Sequence, residues 1–225
     1  MPHLNLLKCG EYMKKEEAVR VIISCAKQYN QNLESKNFLF VYDENNKINF
    51  FETVFLSRNF LHLTGVQLGQ NTKSSDFYRR CLNGQLSPSV FRLSKNGVTE
   101  MKLSVLPQIM NIHKVARMLG DYSSTKSVLI TEKIVGTVTA CLGLVYDKNF
   151  YVPNTVLRED IRDVTIAPQK RILAIFQKAI KEQHYSSHTY LAKGISLGSL
   201  LQNKDLTSKI LGDCLGTTDT KSPQK

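Results

Sequence analysis

The stretch Asn59–Gly65 places a histidine and a threonine two residues apart, a spacing that could serve acid–base chemistry. In an extended strand, His62 and Thr64 share one face. Leu61 and Leu63 then point toward the core. An imidazole has a pKa of about 6.5, so it takes up or releases a proton near neutral pH. The stretch therefore predicts a catalytic strand, although an ordinary half-buried strand with a structural histidine has the same pattern.

Metal-independent RNA cleavage requires further chemical groups besides a histidine. Basic and hydroxyl residues at the ends of later predicted elements could supply them. The reaction needs a base for the 2′-OH proton, a cation that stabilises the crowded phosphorane, and an acid for the leaving 5′-oxygen. We predict that His62 is the base or the acid and that Arg117 and Lys102 hold the phosphate. Tyr122 or Thr64 would donate a hydrogen bond. Each residue also has an ordinary structural explanation, such as Arg117 near a helix C-terminus.

A second set of residues is predicted to bind nucleic acid: Arg79, Arg80, Asn154, Arg158 and Arg162. A guanidinium group can hold two phosphate oxygens at once. Arg158 and Arg162 lie one helical turn apart, so a solvated basic face explains them equally well. Glu159, Asp160 and Asp163 offer carboxylates nearby, but the neighbouring arginines neutralise them. We therefore predict no metal site.

The charge of the chain favours a polyanionic partner. Its 225 residues include 30 Lys and Arg against 19 Asp and Glu, which gives a net charge of +11. Such a field attracts nucleic acid, and an acidic protein partner is the alternative. The absence of Trp and the 8% aromatic content argue against an extended platform for stacking single strands. P-loop, GxGxxG, HExxH and GxSxG motifs are all missing, so no cofactor is predicted.

The cysteines and the apolar segments predict a cytoplasmic protein. Five widely spaced cysteines, without a CxxC motif, indicate free thiols in a reducing compartment. The sequence has no run of about eighteen apolar residues and no signal peptide, so we predict no contact with a membrane.

Helical and β patterns alternate around these candidate residues. Residues 11–30 have the apolar spacing of a helix, and two β-rich runs, Phe38–Tyr42 and Ile48–Phe55, predict a hairpin. Leu56–Thr64 would continue as a further strand or a bend. Phe77, Cys81 and Leu82 predict a helix that Asn83-Gly84 ends.

The second half of the chain predicts a helix and then more strands. Thr99–Leu103 alternates like a strand, and Ser104 would cap a helix that reaches Leu119. His113 lies on the apolar stripe of that helix, which favours packing over chemistry. Further strands are predicted at the following positions: Ile134–Tyr146, Phe150–Val152 ending at Pro153, Arg171–Phe176 and Thr189–Ala192. The first two of these would form another hairpin, with its turn at Asp147-Lys148-Asn149.

Several segments, taken in order, resemble one family of nucleases. They are Asn59-Phe-Leu-His-Leu-Thr-Gly65, Asp76-Phe-Tyr-Arg-Arg-Cys-Leu82, Lys102-Leu-Ser-Val-Leu-Pro107, Ala116-Arg-Met-Leu-Gly-Asp-Tyr122 and Tyr151-Val-Pro-Asn-Thr-Val-Leu-Arg-Glu-Asp-Ile-Arg-Asp163. Over residues 36–193 the chain resembles the phage-associated barnase–EndoU–colicin–RelE-like (BECR) nucleases, in particular their fourth subgroup. The resemblance implies an α+β fold with helices packed on an antiparallel sheet of about four strands. It also implies metal-independent RNases that act as toxins or phage effectors in the cytoplasm of a bacterial host cell, with an antitoxin or inhibitor protein as a partner.

These observations lead to one prediction of organisation and two of function. We expect an N-terminal helical extension at 1–35, a BECR-like nuclease domain at 36–193, and an appendage at 194–225 whose end is disordered from Thr217. The first function is a metal-independent endoribonuclease of phage or mobile-element origin that cleaves tRNA, rRNA or mRNA by 2′-OH attack. The alternative is a non-catalytic phage accessory protein that binds RNA or a protein through the same fold.

Overall fold

A closed β-barrel surrounded by helices forms the centre of the computed structural model, which describes residues 13–69, 72–123 and 130–210. The strands in these ranges are β1 (Lys36–Glu44), β2 (Lys47–Phe55), β3 (Gln67–Leu68), β4 (Phe91–Arg92), β5 (Met118–Asp121), β6 (Lys133–Gly136), β7 (Cys141–Asp147), β8 (Phe150–Leu157), β9 (Lys170–Ala179) and β10 (Ser187–Leu191). The helices are α1 (Lys15–Asn32), α2 (Phe60–Thr64), α3 (Ser74–Leu82), α4 (Val98–Ile109), α5 (Ile112–Val115), α6 (Ile161–Val164), α7 (Leu197–Leu200) and α8 (Lys204–Lys209).

The prediction of helices packed on a four-stranded antiparallel sheet is wrong. Within the described ranges, seven strands form a closed ring in the order β1-β2-β8-β7-β6-β5-β9, and β9 returns to β1. Closure occurs because the long strand β9 pairs with β1 from Lys36–Ala179 to Tyr42–Ile172, and pairs with β5 and β10 along its other edge. The barrel is mixed because β2 and β8 are parallel neighbours, joined at Thr53 and Tyr151.

Both predicted hairpins are confirmed. Asn45 and Asn46 form the two-residue turn between β1 and β2, with φ values of 55° and 61°. Asparagine tolerates this left-handed region better than most residues, and two such positions are what a type I′ hairpin turn requires. The second hairpin joins β7 to β8. The predicted single strand Ile134–Tyr146 is wrong, because a turn after Gly136 divides it into β6 and β7. Pro153 does not end its strand, because it sits where the β7–β8 register shifts and its missing N–H is tolerated.

Leu56–Thr64 is not a strand, since a short 3₁₀ turn at Ser57–Asn59 leads into helix α2. Phe60, Leu63 and Thr64 are all buried, and their spacing is that of one helical face. Gly65 ends the helix with φ of 71°. A run of apolar residues this short fits the spacing of a strand and that of a helix. Packing against the neighbouring helices favours the helix here.

The predicted strand at Thr99–Leu103 is also helical, because α4 begins at Val98 after the left-handed Gly97. The predicted helix beyond it is shorter than expected. It breaks after Ile109 into α4 and α5, and the chain then enters strand β5, which includes Leu119.

Helices α1 to α4 close one end of the barrel, which we call the far end. The Tyr29 hydroxyl on α1 donates to the Leu56 carbonyl at 2.9 Å, and the Gln108 amide on α4 donates to the Thr137 hydroxyl at 3.1 Å. Buried residues of these helices and the inward residues of the strands form one continuous core. The opposite end, which we call the mouth, holds the β1–β2 turn and the first residues of β6, β8 and β9.

Other segments cover the outer surface of the barrel. Leu200 and Leu206, from α7 and α8, pack on Leu39 and Leu173 of β1 and β9. Helix α6 packs its Ile161 against β6 and β7. The three-part division of the chain stays a prediction, and the predicted disorder from Thr217 lies outside the described residues.

Gly136 lets the backbone on the two sides of the β6–β7 turn pack closely together. A Cβ atom at this position would lie 2.5 Å from the Ala140 carbonyl oxygen and 2.9 Å from the Cys141 Cα, both of them backbone atoms. We expect Gly136→Ala to lower the free energy of unfolding by about 1–3 kcal/mol, because the turn must shift to relieve the overlap. Urea unfolding measures this change. Gly198→Ala, where a Cβ meets nothing within 4 Å, is the control. Equal unfolding midpoints for the two variants would contradict the prediction.

Candidate active site

Three charged residues of the barrel strands point into the mouth. Lys133 lies two residues before the buried, inward-facing Val135, and Lys170 lies two residues before the inward-facing Ile172. Asp121 ends β5 on the same face as the buried leucine two residues before it. Side chains two apart on a strand share a face, so all three side chains meet inside the barrel.

The two lysines converge on one carboxylate. Lys133 Nζ lies 3.1 Å from Asp121 Oδ1, and Lys170 Nζ lies 2.9 Å from Asp121 Oδ2. Lys170 Nζ also lies 2.8 Å from Glu44 Oε1. The lysine side chains are only 17% and 16% exposed, whereas Asp121 is 48% and Glu44 38% exposed. The cations therefore lie deeper in the mouth than the carboxylates.

The pKa values of Lys170 and Asp121 favour the charged form of each residue. Burial alone would lower the pKa of Lys170, but its hydrogen bonds to Glu44 and Asp121 outweigh burial and raise it. Burial alone would raise the pKa of Asp121, and the hydrogen bonds from Lys170 and Lys133 bring it below the usual value. Near neutral pH Lys170 is therefore an ammonium group and Asp121 a carboxylate.

Two tyrosines lie beside the lysines. Lys170 Nζ is 5.8 Å from the centre of the Tyr42 ring, and Lys133 Nζ is 5.6 Å from that of Tyr151. Burial raises the pKa of Tyr42 and of Tyr151, so both phenols stay protonated at neutral pH. A protonated phenol next to a cation can donate a hydrogen bond or a proton to an oxyanion.

A cavity of about 320 Å³ opens beside the cluster. It is lined by Asp43, Glu44, Asn45, Asp121, Ile166, Ala167, Pro168, Gln169 and Lys170. The cavity reaches the carboxylates and Lys170 directly, so a ligand in it would contact the charged groups of the mouth.

The described residues contain neither a candidate metal site nor a reactive thiol. Within the described residues, His, Cys, Asp and Glu side chains form no group of three or more that could hold a metal ion. Cys25, Cys81 and Cys141 are buried free thiols, and burial raises the pKa of each to about 12, which keeps them from acting as thiolate nucleophiles. In the part of the chain that the structure describes, the helices are all too short or too polar to cross a bilayer.

The structure brings together two of the predicted catalytic residues, His62 and Lys102, near the far end of the barrel. His62 is exposed on α2, and Lys102 Nζ donates to its backbone carbonyl at 2.8 Å. Burial lowers the pKa of Lys102 to about 8. Thr64 is fully buried, and its hydroxyl donates to the Leu61 carbonyl at 2.7 Å. Lys102 and Thr64 thus stabilise the C-terminal end of α2.

Arg117 and Tyr122 do not join this pair. Arg117 donates to the Lys114 and Ala116 carbonyls at 2.8 and 3.0 Å, and its guanidinium lies 4.1 Å from the centre of the Tyr190 ring. It therefore caps α5. Tyr122 follows Asp121 but packs on the outside of the barrel, in the cluster under α6.

The residues predicted to bind nucleic acid lie on separate elements. Arg79 and Arg80 are exposed on α3, where Arg79 pairs with Asp76 at 2.9 Å. Arg158 is exposed after β8, and Arg162 on α6 pairs with Asp160 at 2.5 Å. The Asn154 amide donates to the Ile130 carbonyl.

Reasoning from the sequence missed the mouth lysines. A usable signal is present, since Lys133 and Lys170 each stand two residues before an apolar residue in a β pattern. What the sequence does not show is that these apolar residues face the inside of a closed barrel, with Asp121 from a third strand between the two cations.

Comparisons with known proteins give one match. Searches of curated proteins and of solved structures found no match. The family model described as phage-Barnase-EndoU-ColicinE5/D-RelE like nuclease4 matches residues 21–194, which is most of the chain. This confirms the resemblance found from the separate sequence segments. The chain therefore belongs to this family of phage-associated nucleases.

Proposed function

We propose that the protein is a ribonuclease whose active site is the barrel mouth, and that it cleaves RNA by 2′-OH attack without a metal ion. The observation that carries the proposal is the convergence of Lys133 and Lys170 on Asp121, inside the mouth of a chain that belongs to a nuclease family. The net charge of +11 supports a nucleic-acid substrate.

The lysines are arranged to exchange one anion for another. In the free protein their charges are balanced by Asp121 and Glu44. A phosphate group entering the mouth offers oxygen acceptors of the same kind, so it can take over one or both ammonium groups. When the lysines turn to the phosphate, Asp121 loses the hydrogen bonds that lower its pKa and becomes a stronger base.

This exchange assigns a role to each group. Asp121 accepts the proton of the 2′-OH while the 2′-oxygen bonds to phosphorus. Lys133 and Lys170 stabilise the charge that develops on the phosphorane oxygens. As the bond from phosphorus to the 5′-oxygen breaks, Tyr42 gives that oxygen a proton. The proton held by Asp121 then passes through water to Tyr42, so both groups return to their starting states. The products are a 2′,3′-cyclic phosphate and a free 5′-OH.

The exposed His62 on α2, next to Lys102 of α4, is a second candidate location for the chemistry. The catalytic roles predicted from the sequence for His62, Lys102, Arg117, Tyr122 and Thr64 remain predictions. The contact between Lys102 Nζ and the His62 carbonyl supports this location. Action as a toxin, an antitoxin partner and a cytoplasmic location also remain predictions from the sequence.

Cleavage of a defined RNA in the presence of EDTA tests the proposal. We expect cuts that leave 2′,3′-cyclic phosphate ends, because the attacking group is the 2′-OH of the substrate. The matched substrate carries a single 2′-deoxynucleotide at the cut position and should resist cleavage only there. Cleavage of DNA at the same rate, or cleavage that requires added Mg²⁺, would contradict the mechanism. Salt-dependent binding of RNA without turnover would favour the non-catalytic alternative.

A further inference from the structure

The seam between β2 and β8 contains an aromatic slot next to the mouth. These strands are joined at Thr53 and Tyr151, and β8 begins only at Phe150. On the mouth side of that junction, the edge of β2 therefore faces the β7–β8 turn rather than a paired strand. A cavity of about 200 Å³ lies there, lined by Phe50, Phe51, Glu52, Tyr146, Asn149, Tyr151 and Lys209.

Aromatic rings form one wall of the slot. The rings of Tyr146 and Tyr151 lie 5.3 Å apart, and the ring of Phe51 lies 5.4 Å from that of Tyr151, each pair in an edge-to-face arrangement. Tyr146 is 52% exposed, so much of this large ring is open to solvent. The slot thus offers an uncovered aromatic surface to a flat ligand.

Polar groups face the same slot from the edge of β2. The two-residue turn makes Glu44 and Lys47 a hydrogen-bonded pair, so alternate residues of β2 point their backbone groups away from β1. Ile48 follows this rule, since its carbonyl accepts from the Asn203 amide at 2.8 Å. The N–H and C=O of Phe50, two residues further, point the same way. Together with the Asn149 amide, they provide donors and acceptors beside the rings.

One lysine of the mouth lies close to two rings of the slot. Lys133 Nζ, which pairs with Asp121 in the mouth, lies 5.6 Å from the centre of the Tyr151 ring and 6.0 Å from that of Phe51. A ligand that places a phosphate against Lys133 therefore brings a group attached to that phosphate over these rings.

We propose that this slot, which we call the base slot, binds one nucleobase of the RNA next to the phosphate in the mouth. The proposal rests on the function proposed above and identifies how that site would hold its substrate. The base stacks on Tyr146 and Tyr151, and its edge meets the backbone groups of Phe50 and the Asn149 amide. Stacking on an aromatic ring accepts any base, and the polar groups at the edge give a preference among bases.

The test measures binding of an RNA whose scissile 2′-OH is replaced by hydrogen, so that binding is separated from cleavage. A series of such RNAs has one nucleotide at a time made abasic. We expect one abasic position to weaken binding to the wild type by about 5- to 150-fold, the range for loss of one base–aromatic stack. Tyr146→Ala should weaken binding of the intact RNA by a similar factor and should make that abasic position almost neutral. Tyr146→Phe, which keeps the ring, should behave like the wild type.

Val138→Ala is the matched control, since Val138 is 51% exposed and lies in the β6–β7 turn at the far end. A second measurement needs no variant: 2-aminopurine at the sensitive position should lose fluorescence on binding to the wild-type protein, as a stacked base does. The base slot is refuted if every abasic position costs the same in wild type and Tyr146→Ala, or if 2-aminopurine stays bright at every position. Failure of the proposed function would be seen in a separate assay, in which RNA that keeps its 2′-OH groups binds to the protein but is not cut.

Discussion

Lys170→Met is expected to lower kcat for RNA cleavage by about 10²- to 10³-fold, the usual loss when one preorganised donor to a developing oxyanion is removed. Lys170 Nζ lies within 2.9 Å of both Glu44 and Asp121 and is only 16% exposed. Its charge is therefore sheltered from water, which strengthens its effect on a phosphorane. KM should change less than kcat, because the negative charge on the phosphate grows in the transition state.

Two control variants separate the effect of the charge in the mouth from that of the net charge of the protein. Lys27→Met removes one exposed lysine of α1 and should leave kcat unchanged. Lys170→Arg keeps the charge in the mouth and should retain part of the activity. Thermal unfolding of Lys170→Met should show a folded protein, since the carboxylates that lose their partner are 38% and 48% exposed and can be hydrated.

A comparison with His62→Ala decides between the two locations. If the mouth is the active site, Lys170→Met is the damaging change and His62→Ala retains most of the activity. If His62→Ala removes cleavage while Lys170→Met cuts normally, the chemistry lies at α2. The two results exclude each other, so one assay settles the location.

Local elements of the fold were predictable because their signals are local. The two β-rich runs and the Asn45-Asn46 turn specify the first hairpin within twenty residues of sequence. Barrel closure depends on β9 returning to β1, a pairing of residues such as Phe40 and Ile175 that lie far apart in the chain. Nothing in the apolar run of either strand identifies its partner, so the residue pattern predicts the strands but not the closed barrel.

The candidate site was harder to predict for the same reason. His62 stood out because a histidine beside a threonine suggests chemistry, yet its face was assigned for a strand and α2 is a helix. Lys133 and Lys170 look like ordinary solvated lysines at strand starts. They become a site only when three strands place them on Asp121 inside a closed barrel. The family resemblance spans these strands but assigns no role to their residues.

His113 is expected to make the stability of the protein fall in mild acid. As the sequence predicted, it packs in the core: it is 3% exposed on α5, and its ring lies 5.4 Å from that of Phe38. Its Nδ1 atom is buried with no hydrogen-bond partner among the described residues. Burial, followed by the charges of Lys114 and Lys36, lowers the pKa of His113 to about 4.

The direction in which stability changes with pH follows from the difference in the pKa of His113 between the folded and unfolded chain. The unfolded chain binds a proton at His113 near pH 6.5, whereas the folded chain binds it only near pH 4. The neutral ring therefore contributes full stability above about pH 6.5, and this contribution is lost as the pH falls toward 4. The loss from this one group reaches about 3 kcal/mol at pH 4, since each pKa unit corresponds to about 1.4 kcal/mol. Below that pH both states are protonated and the loss stops growing.

Urea unfolding between pH 8 and pH 4, compared with His113→Leu, measures this effect. The variant has no proton to bind at this position, so its free energy of unfolding should fall by about 3 kcal/mol less than that of the wild type over the same range. His188→Leu, which removes an exposed histidine, should follow the wild-type curve. Parallel curves for wild type and His113→Leu would show that His113 is protonated without cost in the fold. The buried Nδ1 would then have access to a hydrogen-bond acceptor or to water.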